Sequence, residues 1–270
     1  MPETLQKTTG TDGATIAYRQ YGQGPRLVTV LHSLALDGSW YAPLAEALGE
    51  EYRLLAPDFR GHGQSPRGET APTLGLVARD IAAMWDAENV DSSVILGISL
   101  GGMVAQALTG SFPDRVDAQI LMATRGAFDE AATRGTLARA AEVRAPNGPE
   151  AAADVTMHRW FGEGSQDATD PLVRQAREQF LGAGGNTIAE YFEAMTRVGD
   201  FHLDSPPPTL VVGGDDDRST PRAVVEQLAA SIPGAELRFA KGGHLVAFDN
   251  PAEVAAIVRP FLDGLDCWTK

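Results

Sequence analysis

The sequence is poor in cysteine and in positive charge, and it has no long apolar run. Its single cysteine, Cys267, has no intrachain partner, which excludes a disulfide-built fold and favours a reducing compartment. With 22 basic against 36 acidic residues the net charge is −14, so no basic face for nucleic acid is expected. No stretch of about 18 apolar residues occurs, and the start of the chain lacks the apolar core of a signal peptide. We therefore expect a soluble cytoplasmic protein that contacts neither nucleic acid nor membrane.

Short apolar runs alternate with longer helical patterns along most of the chain. Runs such as LVTVL, SVILGI and TLVVG are almost wholly apolar, as in strands of a parallel sheet that is covered on both faces. Strands are predicted at residues 15–19, 27–31, 53–56, 94–98, 119–122, 209–212 and 236–239, and helices at 41–48, 74–88, 100–111, 222–231 and 252–262. This alternation predicts an α/β fold with a mostly parallel sheet flanked by helices.

The alternation stops between residues 124 and 208. This part shows helical spacing and no convincing strand, with amphipathic patterns at 130–145, 150–160, 172–180 and 187–198. It ends in SPPP at 205–208, an extended connector that no helix crosses. Too few apolar positions remain here for a separate core. We therefore predict a core domain of residues 1–123 and 209–270, with a helical cap inserted at 124–208.

The strongest local motif is GISLGG at residues 97–102, directly between an apolar strand and a helical pattern. A serine on such a sharp strand-to-helix turn has strained backbone angles, so its neighbours at −2 and +2 must be very small. Gly97 and Gly101 meet that requirement around Ser99. The N–H groups that begin the next helix also favour negative charge near the hydroxyl. This context favours Ser99 as a nucleophile over a glycine-rich turn that merely starts a helix.

A nucleophilic serine needs a base, and the chain has five histidines from which to supply one. His244 follows the last predicted strand and precedes the last helix, which is a loop position at the carboxyl edge of the sheet. His32 and His62 also follow strands, whereas His158 and His202 fall in the cap region or at its exit. The order along the chain favours His244, because this histidine comes after Ser99 and after an acidic loop.

That acidic loop contains three consecutive aspartates, Asp215, Asp216 and Asp217, directly after the strand TLVVG. The base needs one carboxylate to orient its ring. Three adjacent carboxylates cannot serve equally well in that role, so two of them are expected to be solvated turn residues. Spacing alone leaves the choice among the three open.

Together these residues resemble the α/β-hydrolase fold superfamily, and the resemblance covers nearly the whole chain. The motifs that carry it are GISLGG at 97–102, DFRGHGQS at 58–65, GGDDDRSTP at 213–221 and GGH at 242–244. Superfamily members place nucleophile, acid and base in this chain order. Their acid typically stands three residues after the glycine that ends its strand. The resemblance therefore implies a catalytic triad of Ser99, Asp217 and His244, with Asp216 as the alternative acid.

Within the superfamily, LHSLAL at 31–36, HRWF at 158–161 and the spacing onward to Pro208 look most like 3-oxoadipate enol-lactonases. Serine at the elbow departs from the haloalkane dehalogenase and epoxide hydrolase patterns, which use aspartate there. Leu34 departs from the perhydrolase pattern, and Leu245 from that of the meta-cleavage hydrolases. The resemblance implies a serine hydrolase of a lactone or small carboxylic ester. The alternatives are a carbon–carbon bond hydrolase of a vinylogous diketone acid and a non-catalytic ligand receptor on the same fold.

The resemblance also implies how the site would work without a cofactor or a metal. The backbone N–H groups of Leu34 and Leu100 would form the oxyanion hole. The sequence contains no metal-binding motif, and neither a phosphate loop nor a dinucleotide signature. The expected partner is therefore a small ester or lactone alone.

Substrate contacts are expected from Ser33, Arg125 and Trp160. Because a protein at −14 repels acidic ligands at long range, an acidic substrate would need a local cation. Arg125, just after a predicted strand, and Arg159, beside Trp160, are the candidates, since a guanidinium can hold a carboxylate through two hydrogen bonds.

Overall fold

A single eight-stranded sheet forms the centre of the molecule. The computed structural model describes residues 3–162, 167, 169–201 and 205–269. The strands are β1 (Glu3–Thr9), β2 (Thr15–Tyr21), β3 (Arg26–Leu31), β4 (Tyr52–Pro57), β5 (Ser93–Ile98), β6 (Val116–Met122), β7 (Thr209–Gly214) and β8 (Glu236–Ala240). Their order across the sheet is β1-β2-β4-β3-β5-β6-β7-β8. Strand pairing is antiparallel for β1–β2 and β2–β4 and parallel elsewhere, which confirms the predicted fold class.

The central strands are buried on both faces, as their unbroken apolar runs predict. Every residue of β5 and of β7 is buried. Strand β1 was not predicted, because its sequence ETLQKTT is mostly polar and lacks an apolar face. It lies at the edge of the sheet with most side chains exposed, where the ladder with β2 rather than a buried surface holds it.

Helices cover both faces of the sheet and enclose two apolar cores. One core contains residues of α2 (Leu74–Ala87), α3 (Leu100–Ser111) and α8 (Arg222–Ser231). The other contains residues of α1 (Ala42–Leu48), α9 (Val246–Asp249) and α10 (Pro251–Asp263). The short helix α9 was not predicted, because four residues show no periodicity. None of the helices in the described ranges is both long and apolar enough to cross a bilayer.

Between β6 and β7, where the sequence suggests an inserted cap, the described residues form four α-helices. They are α4 (Glu130–Val143), α5 (Gly148–Phe161), α6 (Pro171–Ala183) and α7 (Gly185–Met195). Side chains of Asp129 and Asp170 cap α4 and α6 by accepting backbone N–H groups of the first turn. Residues 124–208 contain no strand in the portions that the structure describes. His202, at the predicted exit of the cap, lies outside the described residues.

Candidate active site

Ser99 lies on a strained turn between β5 and α3. Its φ of 55° and ψ of −114° are unusual for a residue with a side chain. A Cβ added to Gly97 would lie 2.3 Å from the carbonyl oxygen of Gly101, so the turn can close only around glycine. The Ser99 N–H donates to the carbonyl of Met122 at the end of β6, which fixes the turn to the sheet. The hydroxyl is thereby held at the carboxyl edge of the central strands.

Three side chains that are distant in sequence form one hydrogen-bonded chain at this edge. His244 Nε2 lies 2.8 Å from Ser99 Oγ, across 145 positions of sequence. On the other side of the ring, His244 Nδ1 lies 2.9 Å from Asp217 Oδ2. An ionised carboxylate only accepts hydrogen bonds, so Nδ1 carries the proton and Nε2 is free to accept from the serine hydroxyl. The hydrogen bonds run from hydroxyl to imidazole to carboxylate, which is the order that activation of a serine requires.

The structure brings one of the three consecutive aspartates to the histidine. Asp217 is buried, and its second oxygen accepts the backbone N–H groups of Ser219 at 2.7 Å and Thr220 at 2.8 Å. Asp215 and Asp216 are exposed, and the Asp215 carboxylate accepts the backbone N–H of Gly242 instead. The difference arises because the loop turns after Asp216, so only the third side chain points inward.

Two backbone amides beside Ser99 are without an acceptor in the described part of the chain. They belong to Leu34, which lines the cavity next to Ser99, and to Leu100, the first residue of α3. In the loop after β3 the carbonyl of Ser33 accepts from His32 Nδ1 at 2.7 Å and from the N–H of Leu36 at 3.2 Å. A trans peptide is planar, so fixing this carbonyl on one side directs the Leu34 N–H to the other.

His32 and His62 are fully buried and stand apart from the Ser99 cavity. Burial lowers the pKa of His32 to about 4 and that of His62 to about 3, so both rings are neutral at pH 7. His32 Nε2 accepts the N–H of Phe59 at 2.9 Å, and His62 Nδ1 donates to the carbonyl of Arg60 at 3.1 Å. Through these contacts both histidines stabilise the loop that follows β4.

A cavity of about 280 Å³ opens beside Ser99 and His244, between the sheet edge and the helices that follow β6. Trp160 lines it and stacks nearly parallel to the His244 ring, with centroids 6.2 Å apart. Ser33 does not line this cavity, unlike the expectation from the sequence. The side chain of Ser33 is fully buried, and its hydroxyl has no hydrogen-bond partner among the described residues. Apolar lining comes from Met103, Phe128, Phe192 and Met195.

Both arginines that the sequence proposes line the cavity, together with a third that it does not. Arg125 lies over the Phe128 ring at 4.5 Å, and burial lowers its pKa. Arg159 donates to the carbonyl of Ser219 at 3.4 Å. The third is Arg139, on α4, whose pKa burial lowers to about 10. The sequence offered one weak signal for it: Arg139 shares a helical face with Ala140 and Val143, both buried.

A second cavity, of about 310 Å³, also has Arg125 in its lining. Ser99, Asp217 and His244 do not line it. It is lined mainly by apolar and glutamine side chains between α3 and α8. Within the described ranges, no group of three or more His, Cys, Asp or Glu side chains could hold a metal ion.

Comparison with known proteins agrees with this fold. Residues 26–251 match the family model of the alpha/beta hydrolase fold, so the chain belongs to that family. It is 31% identical to the pimeloyl-[acyl-carrier protein] methyl ester esterase of Xanthomonas oryzae pv. oryzae, over 89% of this chain and 96% of that protein. A thermophilic esterase from Thermogutta terrifontis has a similar structure, with TM-score 0.84, 26% identity, and coverage of 96% of this chain and 98% of the other.

The enol-lactonase from Burkholderia xenovorans LB400 is also similar in structure. Its TM-score is 0.85, at 24% identity, over 96% of this chain and 100% of the other. At that level of identity the similarity shows a shared fold.

Proposed function

We propose that this protein is a cofactor-free serine hydrolase that cleaves a lactone or small carboxylic ester through an acyl-enzyme. The observation that carries the proposal is the continuous chain from Ser99 Oγ through His244 to Asp217, with both contacts below 3 Å, beside an open cavity. A buried, directed chain of hydroxyl, imidazole and carboxylate is what a weak oxygen nucleophile needs.

In the first half-reaction Ser99 Oγ attacks the ester carbonyl while His244 Nε2 takes the hydroxyl proton. Asp217 holds the ring in the tautomer that accepts at Nε2 and stabilises the imidazolium that forms. His244 then donates the proton to the leaving oxygen, and the ester bond breaks to give an acyl-serine. In the second half-reaction His244 takes a proton from water, hydroxide attacks the acyl carbon, and the acid leaves as Ser99 regains its proton.

We assign the oxyanion hole to the backbone N–H groups of Leu34 and Leu100. Both amides lack an acceptor in the described residues, and both belong to segments that flank Ser99. The start of α3 adds a favourable helix dipole at the same point. Because these donors exist before the reaction, they stabilise negative charge as it develops without a reorganisation cost.

For the substrate we propose a compact ester or lactone, such as a 3-oxoadipate enol-lactone-like compound. Arg125 would hold a carboxylate on this substrate, and Trp160 would cover the leaving group near His244. Ser33 would act through its carbonyl, which orients the Leu34 amide, rather than through its buried hydroxyl. Esterase and lactonase names among the similar proteins support this class of substrate.

We further propose that residues 124–208 form a cap over the core of 1–123 and 209–270. Helices α4 and α5 supply Arg139, Arg159 and Trp160 to the cavity, which supports a role of this segment in selectivity. The single cysteine fits a cytoplasmic location.

A panel of enol-lactones, aliphatic lactones and short-chain esters tests the proposed reaction. Wild-type protein is expected to hydrolyse members of the panel, and Ser99→Ala to lose the activity by several orders of magnitude with its fold intact. Hydrolysis that survives in Ser99→Ala would reject the assignment. Turnover of vinylogous diketones with none of any ester or lactone would instead favour carbon–carbon bond hydrolysis.

A further inference from the structure

Three arginine side chains converge on the cavity beside Ser99 from three separate segments. Arg125 follows β6, Arg139 lies on α4, and Arg159 lies on α5. Each side chain is partly buried. The charge of Arg159 lowers the pKa of both Arg125 and Arg139, after the larger effect of burial. Gathering three like charges in one cavity is unfavourable unless a counter-charge binds among them.

In the part of the chain that the structure describes, no carboxylate supplies that counter-charge by direct contact, since none of the three guanidinium groups forms an ion pair there. Arg139 stacks over Phe192 at 4.3 Å and donates to the Thr156 hydroxyl at 3.4 Å, while Arg159 reaches only the Ser219 carbonyl. These are neutral partners, which hold each side chain in place and leave its charge uncompensated.

Two of the three acids that act on these arginines through space are engaged elsewhere, and the third, Glu142, is exposed to solvent. Asp129 and Asp217 act on Arg125 through space, and Glu142 acts on Arg139. Asp129 caps α4, and Asp217 holds the triad histidine. Neither carboxylate can turn into the cavity without giving up its present hydrogen bonds.

Other arginines at α4 show the usual arrangement. Arg134 pairs with Glu130 one turn away, and Arg144, at the end of the helix, pairs with Glu193 of α7. Arg139 lies between Arg134 and Arg144 in sequence but faces the cavity instead. In a chain with 36 acidic and 22 basic residues, a cavity lined by three arginines departs from the composition of the rest of the molecule.

We propose that the cavity selects an ester or lactone that carries two further carboxylates, with Arg139 as a specificity-determining residue beside Arg125 and Arg159. This inference rests on the proposed hydrolase function and defines its substrate class. One carboxylate is matched by a single guanidinium through two hydrogen bonds. Two carboxylates engage the whole cluster, and they bring the local charge close to neutral.

The binding of free acids tests the proposed substrate class without any need for turnover. Butyrate, glutarate and tricarballylate are the acids that a neutral, a singly acidic and a doubly acidic ester would release. Titration calorimetry on Ser99→Ala is expected to show affinity rising in that order and falling as salt is raised. Arg139→Gln in the same background should weaken tricarballylate binding about 10- to 100-fold, the loss expected for one charged hydrogen-bonding partner.

Arg134→Gln is the matched control, because it removes an exposed arginine from the same helix, and it should leave the affinity unchanged. Arg159→Gln is a second cavity variant, to be used should thermal unfolding show that Arg139→Gln does not fold. Equal affinity for the three acids, or equal effects of Arg134→Gln and Arg139→Gln, would overturn the inference.

Hydrolysis of neutral p-nitrophenyl butyrate reports separately on the proposed function. If wild type hydrolyses this ester and Ser99→Ala does not, the proposed hydrolase function is supported, even if the three acids bind with equal affinity. If hydrolysis does not depend on Ser99 while tricarballylate binding depends on Arg139, the hydrolase assignment fails and the proposed substrate class falls with it. The two failures are therefore distinguishable.

Discussion

A Cβ added to Gly101 would lie 2.0 Å from the carbonyl oxygen of Leu31, the last residue of β3. The first turn of α3 therefore packs directly on the point where β3 passes into the loop that follows it. This contact fixes two parts of the site together, because the loop contains Leu34 and the turn contains Ser99. Glycine is required here because the neighbour is backbone, which cannot swing aside as a side chain can.

We predict that Gly101→Ala damages both stability and activity. The added methyl group must push α3 away from β3, and overpacking of this kind costs about 1–3 kcal/mol of unfolding free energy, occasionally more. Urea unfolding and ester hydrolysis measure the two effects. Gly182→Ala is the control, since a Cβ at that position in α6 meets nothing within 4 Å and Gly182 does not line the cavity beside Ser99. It should raise the unfolding free energy by about 0.5–1 kcal/mol and keep full activity.

Asp217→Asn and Asp215→Asn should differ greatly in activity. An amide at position 217 no longer favours the His244 tautomer that accepts the serine proton, and we expect kcat to fall by about 10³- to 10⁴-fold. Asp215 accepts only a backbone N–H of the next loop, so its change to asparagine should cost less than about tenfold. Steady-state kinetics on one ester compare the kcat values of the two variants. Similar losses for both variants would contradict the assignment of the acid.

His32→Asn should lower kcat while changing KM little. The His32 ring holds the Ser33 carbonyl and accepts the Phe59 N–H, and an asparagine side chain cannot span both. A misdirected Leu34 amide would weaken stabilisation of the oxyanion, which exists only in the transition state, so we expect at least about a tenfold loss in kcat. An increase in KM at constant kcat would show instead that His32 shapes the ground-state pocket.

Much of the site could be predicted because its motifs are local. The stretch SVILGISLGG at residues 93–102 specifies a buried strand, a tight turn and a helix start, and the structure has all three. The acid could not be chosen in this way. Asp215, Asp216 and Asp217 have the same chemistry, and only the direction of the loop separates them.

Other features depend on packing between distant segments. Strand β1 has no apolar pattern, because at an exposed edge its ladder rather than burial holds it. Arg139 lies in an alanine-rich helix without a marked apolar face, so its direction follows from how α4 packs on α7. Ser33 directly precedes Leu34 in sequence, yet its hydroxyl is buried because the loop turns its side chain inward.

We expect acidic pH to destabilise the protein, over a pH range set by two buried histidines. In the unfolded chain a histidine has a pKa near 6.5, whereas the folded pKa is about 4 for His32 and about 3 for His62. The unfolded state thus binds more protons below pH 6.5. Stability is unaffected by these groups above that pH and falls as the pH drops toward 3. Urea midpoints at pH 7, 6, 5 and 4 measure this fall.

His62→Gln isolates the contribution of one ring from that of the acidic residues. Glutamine does not titrate, so the variant should lose less stability than wild type between pH 7 and pH 4, whatever its stability at pH 7. An equally steep decline in both proteins would show that His62 is protonated to the same extent in the folded and unfolded states.

The most direct test of the account is to trap the acyl-enzyme. Wild-type protein mixed with p-nitrophenyl acetate and quenched in acid within milliseconds should gain the mass of one acetyl group, located on the peptide that contains Ser99. His244→Ala should form this adduct far more slowly, and Ser99→Ala should not form it. Rapid hydrolysis with no adduct, or an adduct on any other residue, would contradict a serine mechanism at Ser99.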